Sequence, residues 1–368
     1  MRPKLREEIK LINKESKLYK LGLKEGIIKE FNDIYSSFHL GRVVIEQKGL
    51  YKIVTEEGEI NGRISGKIIY GGLQREDYPA VGDWVVLDRS TDANGDAIIH
   101  GILSRFSKLS RKVAGVKSDE QIIGANIDKI FICMALNNDF NIRRLERYIT
   151  IAWDSGAIPV IVLTKADLCL DLEDKVSKVD EISMGIEKFI ISSHTGEGIS
   201  LIEDYIQKSD TIAFVGSSGV GKSTLINRLM GFEKQVTNGV RAGDDRGKHT
   251  TTHRELIVIP NGGVVIDTPG MRELQLLDNT EGVDSSFKDI SELSSKCKFS
   301  DCSHQSEPGC AIKKAIEDGI LSAERLESYF KLKKEAEYME RKINKAAASQ
   351  YKKDIIKLHK GVKRKNTK

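Results

Sequence analysis

The stretch Gly216–Ser223, GSSGVGKS, constrains this chain most, because it fits the phosphate-loop pattern G-x-x-x-x-G-K-[S/T] at every position. An apolar, β-prone run, Thr211–Val215, precedes it, and a segment with helical spacing, Lys222–Met230, follows. In such a strand–loop–helix context, glycines let successive backbone N–H groups turn toward phosphate oxygens, and the helix N-terminus adds partial positive charge. The stretch therefore predicts a nucleotide site in an α/β domain.

Side-chain chemistry gives the positions of this loop separate roles. Lys222 is expected to reach the β- and γ-phosphates, and the Ser223 hydroxyl is expected to bind Mg²⁺. A chance glycine-rich turn is the alternative, which the complete match and the flanking segments disfavour. The other residues predicted to bind the nucleotide here are Gly216, Ser217, Ser218, Gly219, Val220, Gly221 and Thr224.

A motif upstream of the phosphate loop indicates recognition of guanine. Thr164-Lys165-Ala166-Asp167 follows an apolar strand candidate and resembles the N-K-x-D sequence of GTPases. A carboxylate at Asp167 can accept hydrogen bonds from N1–H and the exocyclic amine of guanine, whereas adenine offers no such pair of donors. Thr164 replaces the usual asparagine, and its hydroxyl can supply part of that hydrogen bonding. We expect weakened rather than lost affinity for the base, and a chance match of so short a motif stays open.

Two further stretches complete the predicted nucleotide site. Ser192 and Ser193 begin the sequence SSHTGEG, which resembles the loop whose backbone N–H groups back the base in GTPases. Asp267-Thr268-Pro269-Gly270 ends a strand candidate downstream of the phosphate loop. Asp267 is expected to hold Mg²⁺ through water, and the Gly270 N–H is expected to meet the γ-phosphate. Together these motifs predict a GTPase.

A polar stretch, 231–252, lies between the phosphate loop and that strand candidate and ends with GKHTTT. Long loops of this kind are usually functional or disordered. Thr250 or Thr251 would complete the Mg²⁺ shell only when the γ-phosphate is present, which predicts a switch. Met271 stands where Ras-type enzymes place a water-orienting glutamine, so unstimulated hydrolysis should be slow. His249 is the candidate for positioning the attacking water, and a surface-loop histidine is the alternative.

The order of these motifs predicts a circular permutation. Ras-like GTPases run from the phosphate loop to the base motifs, whereas here the base motifs come first. The expected domain is a mostly parallel sheet with helices on both faces, whose second switch is joined directly to the following segment. The strand candidates are Lys129–Leu136, Pro159–Leu163, Lys188–Ser192, Thr211–Val215, Glu255–Ile259 and Gly263–Asp267, and helices are expected at Ile142–Trp153, Val176–Met184 and Ile199–Gln207.

A metal site is predicted after the GTPase motifs. Three cysteines and a histidine follow the spacing C-x4-C-x-H-x5-C, a donor set suited to one tetrahedral Zn²⁺. Unrelated buried cysteines are the alternative, because the spacing is not the common double C-x2-C. Helices at Ile312–Ile320 and Ala323–Met339 would surround the site. The expected ligands are Cys297, Cys302, His304 and Cys310, whereas Cys133 is expected in the core.

The chain before the GTPase motifs predicts a small barrel. From Gly41 onward the hydrophobic period is two, and Gly-containing pairs mark hairpins. About five short strands are typical of a closed barrel of OB type. Arg105–Lys112 is interpreted as a basic linker after it. Such barrels often bind single-stranded nucleic acid, although a pure spacer is the alternative. The residues that could line that groove are Tyr51, Lys52, Arg63, Lys67 and Tyr70.

Charge and composition narrow the partners and the compartment. Between Lys331 and Lys368, fourteen Lys and Arg stand against four Asp and Glu, in a chain whose net charge is only +4. This basic tail indicates a polyanion partner, and a solvated helix is the alternative. The sequence has no run of eighteen apolar residues and no apolar leader, so we expect no membrane association and a cytoplasmic location.

The combination of barrel, permuted GTPase motifs and Cys/His cluster resembles the ribosome small-subunit-dependent GTPase family (RsgA, also called YjeQ or YloQ) over about Gly41–Phe330. The resemblance implies a GTPase that acts in late maturation of the bacterial 30S subunit. It also implies binding to 16S rRNA near the decoding centre and strong stimulation by the 30S particle. The departures are Thr164, Lys248 where the family commonly has arginine, and an N-terminal extension.

The expected fold is multidomain, with an N-terminal OB-type β-barrel, a central α/β circularly permuted P-loop GTPase domain and a C-terminal α-helical zinc-binding module. We expect a monomer that uses GTP, GDP, Mg²⁺ and one Zn²⁺ and binds the 30S subunit. An RNA-binding scaffold with a structural nucleotide site and an ATP-using P-loop enzyme stay open. The expected divisions are 1–38 (helical appendage), 39–108 (barrel), 109–282 (GTPase domain), 283–335 (zinc module) and 336–368 (basic tail).

Overall fold

The computed structural model describes residues 16–47, 49–66, 77–93, 95–112, 120–231, 254–267, 281–305 and 307–343. Among the helices in these ranges, none combines the length and the apolar character needed to cross a membrane. The sequence-based predictions that lie outside these ranges are those for residues 1–15 of the helical appendage, for Lys67, Tyr70, Lys248, His249, Thr250, Thr251, Gly270 and Met271, and for the tail from 344 onward.

A closed five-stranded barrel follows two short helices. The elements are α1 (Lys17–Lys20), α2 (Glu25–Ile34), β1 (His39–Gln47), β2 (Leu50–Val54), β3 (Glu59–Ile64), β4 (Trp84–Leu87) and β5 (Ala97–Ile102). The strand order is β1-β2-β3-β5-β4, and β4 pairs back onto β1. Burial alternates along β2 and β3, as the hydrophobic period of two requires. The predicted barrel is confirmed.

Tyr51 lies inside this barrel. Its side chain is only 2% exposed and belongs to the barrel core, so the interpretation that it lines a nucleic-acid groove was wrong. Because side chains alternate along a strand, the next residue, Lys52, points outward and pairs with Glu59. On the neighbouring strand, Arg63 pairs with Asp96 at 2.8 Å. Of the three basic side chains of the predicted groove, the two that lie in the described residues are thus at the surface.

A two-stranded antiparallel hairpin, β6 (Lys108–Lys112) and β7 (Glu120–Ala125), follows the barrel. The prediction of a basic linker here was wrong. The guanidinium of Arg105 makes two 2.7 Å hydrogen bonds to the carboxylate of Asp83, which is fully buried. The ion pair of Arg105 and the pairing of β6 with β7 fix this segment in place. Local charge alone could not reveal either contact, because the residues that Arg105 and β6 pair with lie elsewhere in the chain.

An α/β sheet follows the hairpin. Its elements are β8 (Lys129–Ala135), α3 (Ile142–Asp154), β9 (Ile158–Thr164), α4 (Leu172–Ile182), β10 (Glu187–Ile190), α5 (Ile199–Tyr205), β11 (Thr211–Val215), α6 (Lys222–Met230), β12 (Glu255–Val258) and β13 (Val264–Asp267). The order is β10-β9-β8-β11-β13-β12, with parallel pairing up to β13 and an antiparallel edge strand. Each strand candidate of this domain corresponds to an observed strand.

The sheet is buried on both faces, which explains why its strands are continuously apolar. Every residue of β8 is buried, and separate hydrophobic cores cover the two faces. At one edge, a single bridge between Ile45 and Glu255 joins β12 to β1, so the sheet continues into the barrel.

The C-terminal helices pack onto one face of this domain. They are α7 (Glu281–Ser286), α8 (Lys288–Ser294), α9 (Ala311–Glu317) and α10 (Ala323–Ile343). Their apolar residues, Phe287 and Leu326 among them, belong to the same core as Ile130 and Val215 of the sheet. We call this helical region, 281–343, the zinc module. It confirms the predicted helical C-terminal unit, and it shares its core with the α/β sheet.

A buried arginine fixes the barrel against the α/β sheet. The guanidinium of Arg42 donates to the backbone carbonyls of Leu21, Gly82 and Asn126, and it lies 5.1 Å from the centre of the Trp84 ring. Burial lowers the pKa of Arg42 to about 9, which leaves it charged at neutral pH. Because the three carbonyls come from the N-terminal helices, the barrel and the segment before β8, one side chain joins all three.

Candidate functional site

The phosphate loop joins β11 to α6 in a conformation that needs glycine. Gly216, Gly219 and Gly221 have φ values of +143°, +73° and +105°. A Cβ on Gly216 would lie 2.4 Å from the carbonyl oxygen of Cys133, because the loop crosses the end of β8 closely. Burial raises the pKa of Cys133 to about 12, so this thiol is a neutral core group, as expected from the sequence.

Lys222 lies across the mouth of this loop. Its ammonium donates to the carbonyl oxygens of Gly216 and Ser217, both at 2.6 Å. Ser223 and Thr224 follow in the first turn of α6, where backbone N–H groups have no partner within the helix. An ammonium and several N–H donors therefore converge on the place where the sequence predicts phosphates.

The Thr164–Asp167 motif, which is predicted to read the base, touches the phosphate loop directly. Thr164 ends β9 and is buried, and its hydroxyl donates to the carbonyl oxygen of Val220 at 2.6 Å. The same hydroxyl is 3.9 Å from the position that a Cβ on Gly221 would take. The threonine that replaces the usual asparagine thus holds the phosphate loop, which is the role its hydroxyl has in this structure.

Asp167 is exposed, and one of its carboxylate oxygens is held by a hydrogen bond. It lies in a single 3-10 turn, Ala166–Leu168, which the left-handed residue Lys165 begins. The Ser192 hydroxyl donates to Oδ1 of Asp167 at 2.6 Å. Because Ser192 is itself buried, its hydroxyl holds Oδ1 of a residue that is otherwise exposed.

The loop that begins with Ser192 and Ser193 is hydrogen-bonded to the helix that follows the phosphate loop. Arg228 on α6 donates to the carbonyls of Ser193 and His194, at 3.2 and 3.4 Å. Sequence reasoning missed this arginine, since nothing local distinguishes it from a solvated helix residue. The buried Ser193 Oγ has no hydrogen-bond partner among the described residues, an orphaned polar atom at the place where the base is expected.

Asp267 ends β13 next to the strand that leads into the phosphate loop. The parallel register pairs Ala213 with Ile266, so Asp267 lies at the carboxyl edge of the sheet where the loop begins. Carboxylate and hydroxyl oxygens are the ligands that Mg²⁺ prefers, and Asp267 and Ser223 supply one of each. The residues present fit a magnesium ion bound with a nucleotide.

The four predicted zinc ligands come together in the zinc module. Their ligand atoms all lie within 4.8 Å of one another, with 4.0 Å between the sulfurs of Cys297 and Cys310 and 3.6 Å from each of them to Nδ1 of His304. A tetrahedral site with Zn–S bonds of about 2.3 Å needs ligand separations of about 3.6–3.8 Å. With Cys302 as the fourth member, the cluster fits one Zn²⁺.

A hydroxyl outside the cluster orients the imidazole. Ser294 Oγ on α8 lies 3.2 Å from Nε2 of His304, which leaves Nδ1 to face the sulfurs. His304 itself has a left-handed backbone, with φ of +61°. Such a conformation is uncommon for a residue with a side chain, and it occurs here in the tight turn between Cys302 and Cys310, which we call the knuckle.

Replacing Cys310 with serine is expected to remove zinc from the protein. One thiolate fewer leaves an incomplete tetrahedron at the point where α8 and α9 meet, so the thermal midpoint of unfolding should fall. A loss of about 1 kcal/mol lowers the midpoint by about 2–4 °C in proteins of about 150–250 residues, and by less in a longer chain. Zinc content by elemental analysis and a thermal melt would measure both effects. Cys169→Ser, at a half-exposed cysteine outside the cluster, is the control. Full zinc content in the Cys310 variant would contradict the assigned ligand set.

Comparison with known proteins places these features in context. A sequence model of the RsgA GTPase family matches residues 102–277, and one of 50S ribosome-binding GTPases matches 211–344. The small ribosomal subunit biogenesis GTPase RsgA 2 of Lactiplantibacillus plantarum is 50% identical over 81% of this chain and 84% of its own length. The corresponding RsgA 1 of Oceanobacillus iheyensis is 46% identical over 87% of this chain and 91% of its own length.

Two solved structures have a fold similar to that of this chain. YjeQ from Thermotoga maritima is 27% identical, with a TM-score of 0.62, over 81% of this chain and 98% of its own. YloQ, described as a circularly permuted GTPase, is 26% identical, with a TM-score of 0.59, over 81% of this chain and 95% of its own. The motif order in the sequence and the strand order in the sheet agree with this likeness.

Proposed function

The chain belongs to the RsgA family of GTPases, and on that premise we propose that it binds the small ribosomal subunit, promotes late maturation of that subunit, and hydrolyses GTP when the subunit stimulates it. The relatives named above are small ribosomal subunit biogenesis GTPases. The observation that supports the proposal most is the hydrogen bond from the Thr164 hydroxyl to the Val220 carbonyl, because it brings the Thr164–Asp167 motif against the phosphate loop, as a single nucleotide pocket would require.

In this pocket the residues take the roles that guanine nucleotides require. The Asp167 carboxylate accepts from N1–H and N2–H of guanine, while the loop that begins with Ser192 and Ser193 backs the base. When nucleotide binds, Lys222 would leave its carbonyl partners and neutralise the β- and γ-phosphates. Ser223 and Asp267 would hold Mg²⁺, which would neutralise further phosphate charge. The remaining proposed nucleotide contacts are Lys165, Gly216, Ser217, Ser218, Gly219, Val220, Gly221 and Thr224.

Stimulated hydrolysis is assigned to residues outside the described ranges. We propose that His249 positions the attacking water, that Thr250 or Thr251 completes the Mg²⁺ shell, and that the Gly270 N–H contacts the γ-phosphate. Because Met271 cannot orient water, the chain alone should hydrolyse GTP slowly. Hydrolysis would release the protein from the ribosome because the GTP and GDP states differ in their affinity for it.

The partner surface is proposed to include RNA. The exposed basic side chains Lys52 and Arg63 on the barrel and the excess of Lys and Arg after Lys331 complement the phosphates of 16S rRNA. Zinc, when bound, would hold the knuckle between α8 and α9 rigid and would take no part in hydrolysis. We further propose that the chain acts as a monomer in the cytoplasm.

GTP hydrolysis is expected to rise at least about tenfold when purified small subunits are added, whereas ATP hydrolysis should stay at background. Phosphate release measured for each nucleotide, with and without small subunits, tests this. Large ribosomal subunits at equal concentration are the matched control. ATP turnover equal to that of GTP would favour an ATP-using P-loop enzyme, and nucleotide binding without stimulated turnover would favour an RNA-binding scaffold.

A further inference from the structure

The candidate nucleotide site consists of two parts of the chain that have to keep a fixed arrangement. The phosphate loop and α6 form the first part. The Thr164–Asp167 motif and the loop 192–198, which is predicted to back the base, form the second. The Ser192 hydroxyl donates to Oδ1 of Asp167 at 2.6 Å, so the motif and the loop are joined to each other. A nucleotide that contacts both parts binds best when their relative position already matches its own dimensions.

Two contacts bring these parts together without fixing how the 192–198 loop is oriented. The Thr164 hydroxyl donates to the Val220 carbonyl at the start of the motif. Beyond the loop, Ile202 of α5 lies in the same hydrophobic core as Leu225 of α6. Apolar packing is non-directional, so it holds the two helices side by side but does not determine where the polar groups of the loop point.

Arg228 supplies a further attachment that has a defined direction. It lies six residues after Lys222 on α6, which places it about 9 Å further along the helix axis at about 1.5 Å per residue. Its guanidinium donates to the carbonyls of Ser193 and His194, at 3.2 and 3.4 Å. One planar group thus holds two consecutive carbonyls of the 192–198 loop against the helix that begins at the phosphate loop.

Hydrogen bonds within the 192–198 loop make it move as one piece. The Ser192 N–H donates to the Glu197 carbonyl at 3.0 Å, and the Gly196 N–H donates to the Ser192 carbonyl at 2.8 Å. A displacement of the loop at the place where Arg228 holds it would therefore reach Ser192. Through the Ser192 hydroxyl it would also reach the carboxylate of Asp167.

We propose that Arg228 is a positioning residue for base recognition: it holds the 192–198 loop against α6 and so sets the position of the Asp167 carboxylate relative to the phosphate loop. The proposal rests on the proposed nucleotide site and adds to it a residue outside the sequence motifs. In this role Arg228 contacts the protein backbone and neither the base nor the phosphates. Arginine suits it, because a guanidinium donates from several N–H groups in a rigid fork, whereas an ammonium is a single point.

Arg228→Met is the test, because it removes the guanidinium and keeps a long unbranched side chain. The dissociation constant for GDP should rise about three- to tenfold, since the loop would then have to be ordered when the nucleotide binds. The constant for inosine diphosphate should rise less, because its base lacks the exocyclic amine and makes one bond fewer to Asp167. Titration calorimetry with both nucleotides measures the two constants. A purely structural role would lower the thermal midpoint and leave their ratio unchanged, which would overturn the proposal.

Arg228→Lys and a matched control separate hydrogen bonding from charge. The lysine keeps the positive charge without the fork, so its effect should lie between those of the natural chain and Arg228→Met. If Arg228→Met does not fold, natural constants for both nucleotides in Arg228→Lys would overturn the proposal. Arg143→Met is the control, because Arg143 is exposed on α3 and pairs with Glu327 at 3.3 Å. An equal change of the GDP constant in the control would also contradict the role of Arg228.

A double variant distinguishes this proposal from the nucleotide site on which it rests. Asp167→Ala alone should reduce the preference for GDP over inosine diphosphate. Arg228→Met should then weaken GDP binding less than it does in the natural chain, because both residues act on the same recognition of the base. Additive effects, or an unchanged preference in Arg228→Met beside a reduced one in Asp167→Ala, would refute the role of Arg228 alone. An unchanged preference in Asp167→Ala would refute the base site itself, and this proposal with it.

Discussion

Asp167→Asn is expected to weaken GTP binding at least about a hundredfold and to admit xanthosine triphosphate. The Ser192 hydroxyl donates to Oδ1 of Asp167, so in the variant it would donate to the asparagine carbonyl and leave the amide NH₂ group facing the ligand. That amide group would then face the exocyclic amine of guanine, and both groups are hydrogen-bond donors. Loss of two bonds to a charged acceptor costs about 3–6 kcal/mol, which exceeds a factor of a hundred. Xanthine carries a carbonyl at this position and would accept.

Competition binding with GDP and xanthosine diphosphate, followed by hydrolysis assays with both triphosphates, measures the exchange of specificity. Asp171→Asn is the matched control, because that carboxylate lies four residues further on, is mostly exposed and pairs with Lys175. A variant at Asp167 that keeps its preference for GTP would show that this carboxylate does not read the base. The pocket would then be a nucleotide site of unassigned specificity.

The candidate nucleotide site could be proposed from the sequence because each of its motifs is local. A phosphate loop needs particular glycines in a strand–loop–helix segment, and Gly216 to Ser223 carry that requirement within eight residues. The zinc cluster is similar, since its ligands lie within one short segment and their spacing restricts the geometry. The permuted sheet follows from apolar strand runs, whose burial on both faces leaves little ambiguity.

The contacts that were missed join residues far apart in the chain. Arg105 looks like part of a basic linker until its partner Asp83, 22 residues earlier, is seen to be buried. Arg325 and Glu146 are separated by 179 residues, and neither has a local signature of burial. Tyr51 carries the same ambiguity, because an aromatic residue in a strand suits either a binding face or a core. Only the pairing partners decide such cases.

Gly82→Ala is expected to lower the free energy of unfolding by about 3–5 kcal/mol, the largest stability effect we predict for a single methyl group. Gly82 precedes β4 with φ of +95°, and an added Cβ would lie 2.2 Å from the carbonyl oxygen of Ala125 and 3.1 Å from Ile266. The carbonyl of Gly82 also accepts from Arg42 and Asn126. The methyl group would therefore push the barrel away from β7 and β13 at the point where the buried guanidinium joins them.

Gly95→Ala separates this clash from simple backbone strain. Gly95 has φ of +92°, and nothing lies within 4 Å of the position that its Cβ would take. It should lose only the roughly 1–2 kcal/mol that a left-handed residue with a side chain costs. Urea unfolding of both variants measures the difference, and equal losses would mean that the barrel can yield at this contact. If the difference is as large as expected, the barrel and the nucleotide domain form one rigid support, so the RNA that we propose the barrel binds would have a fixed position relative to the phosphate loop.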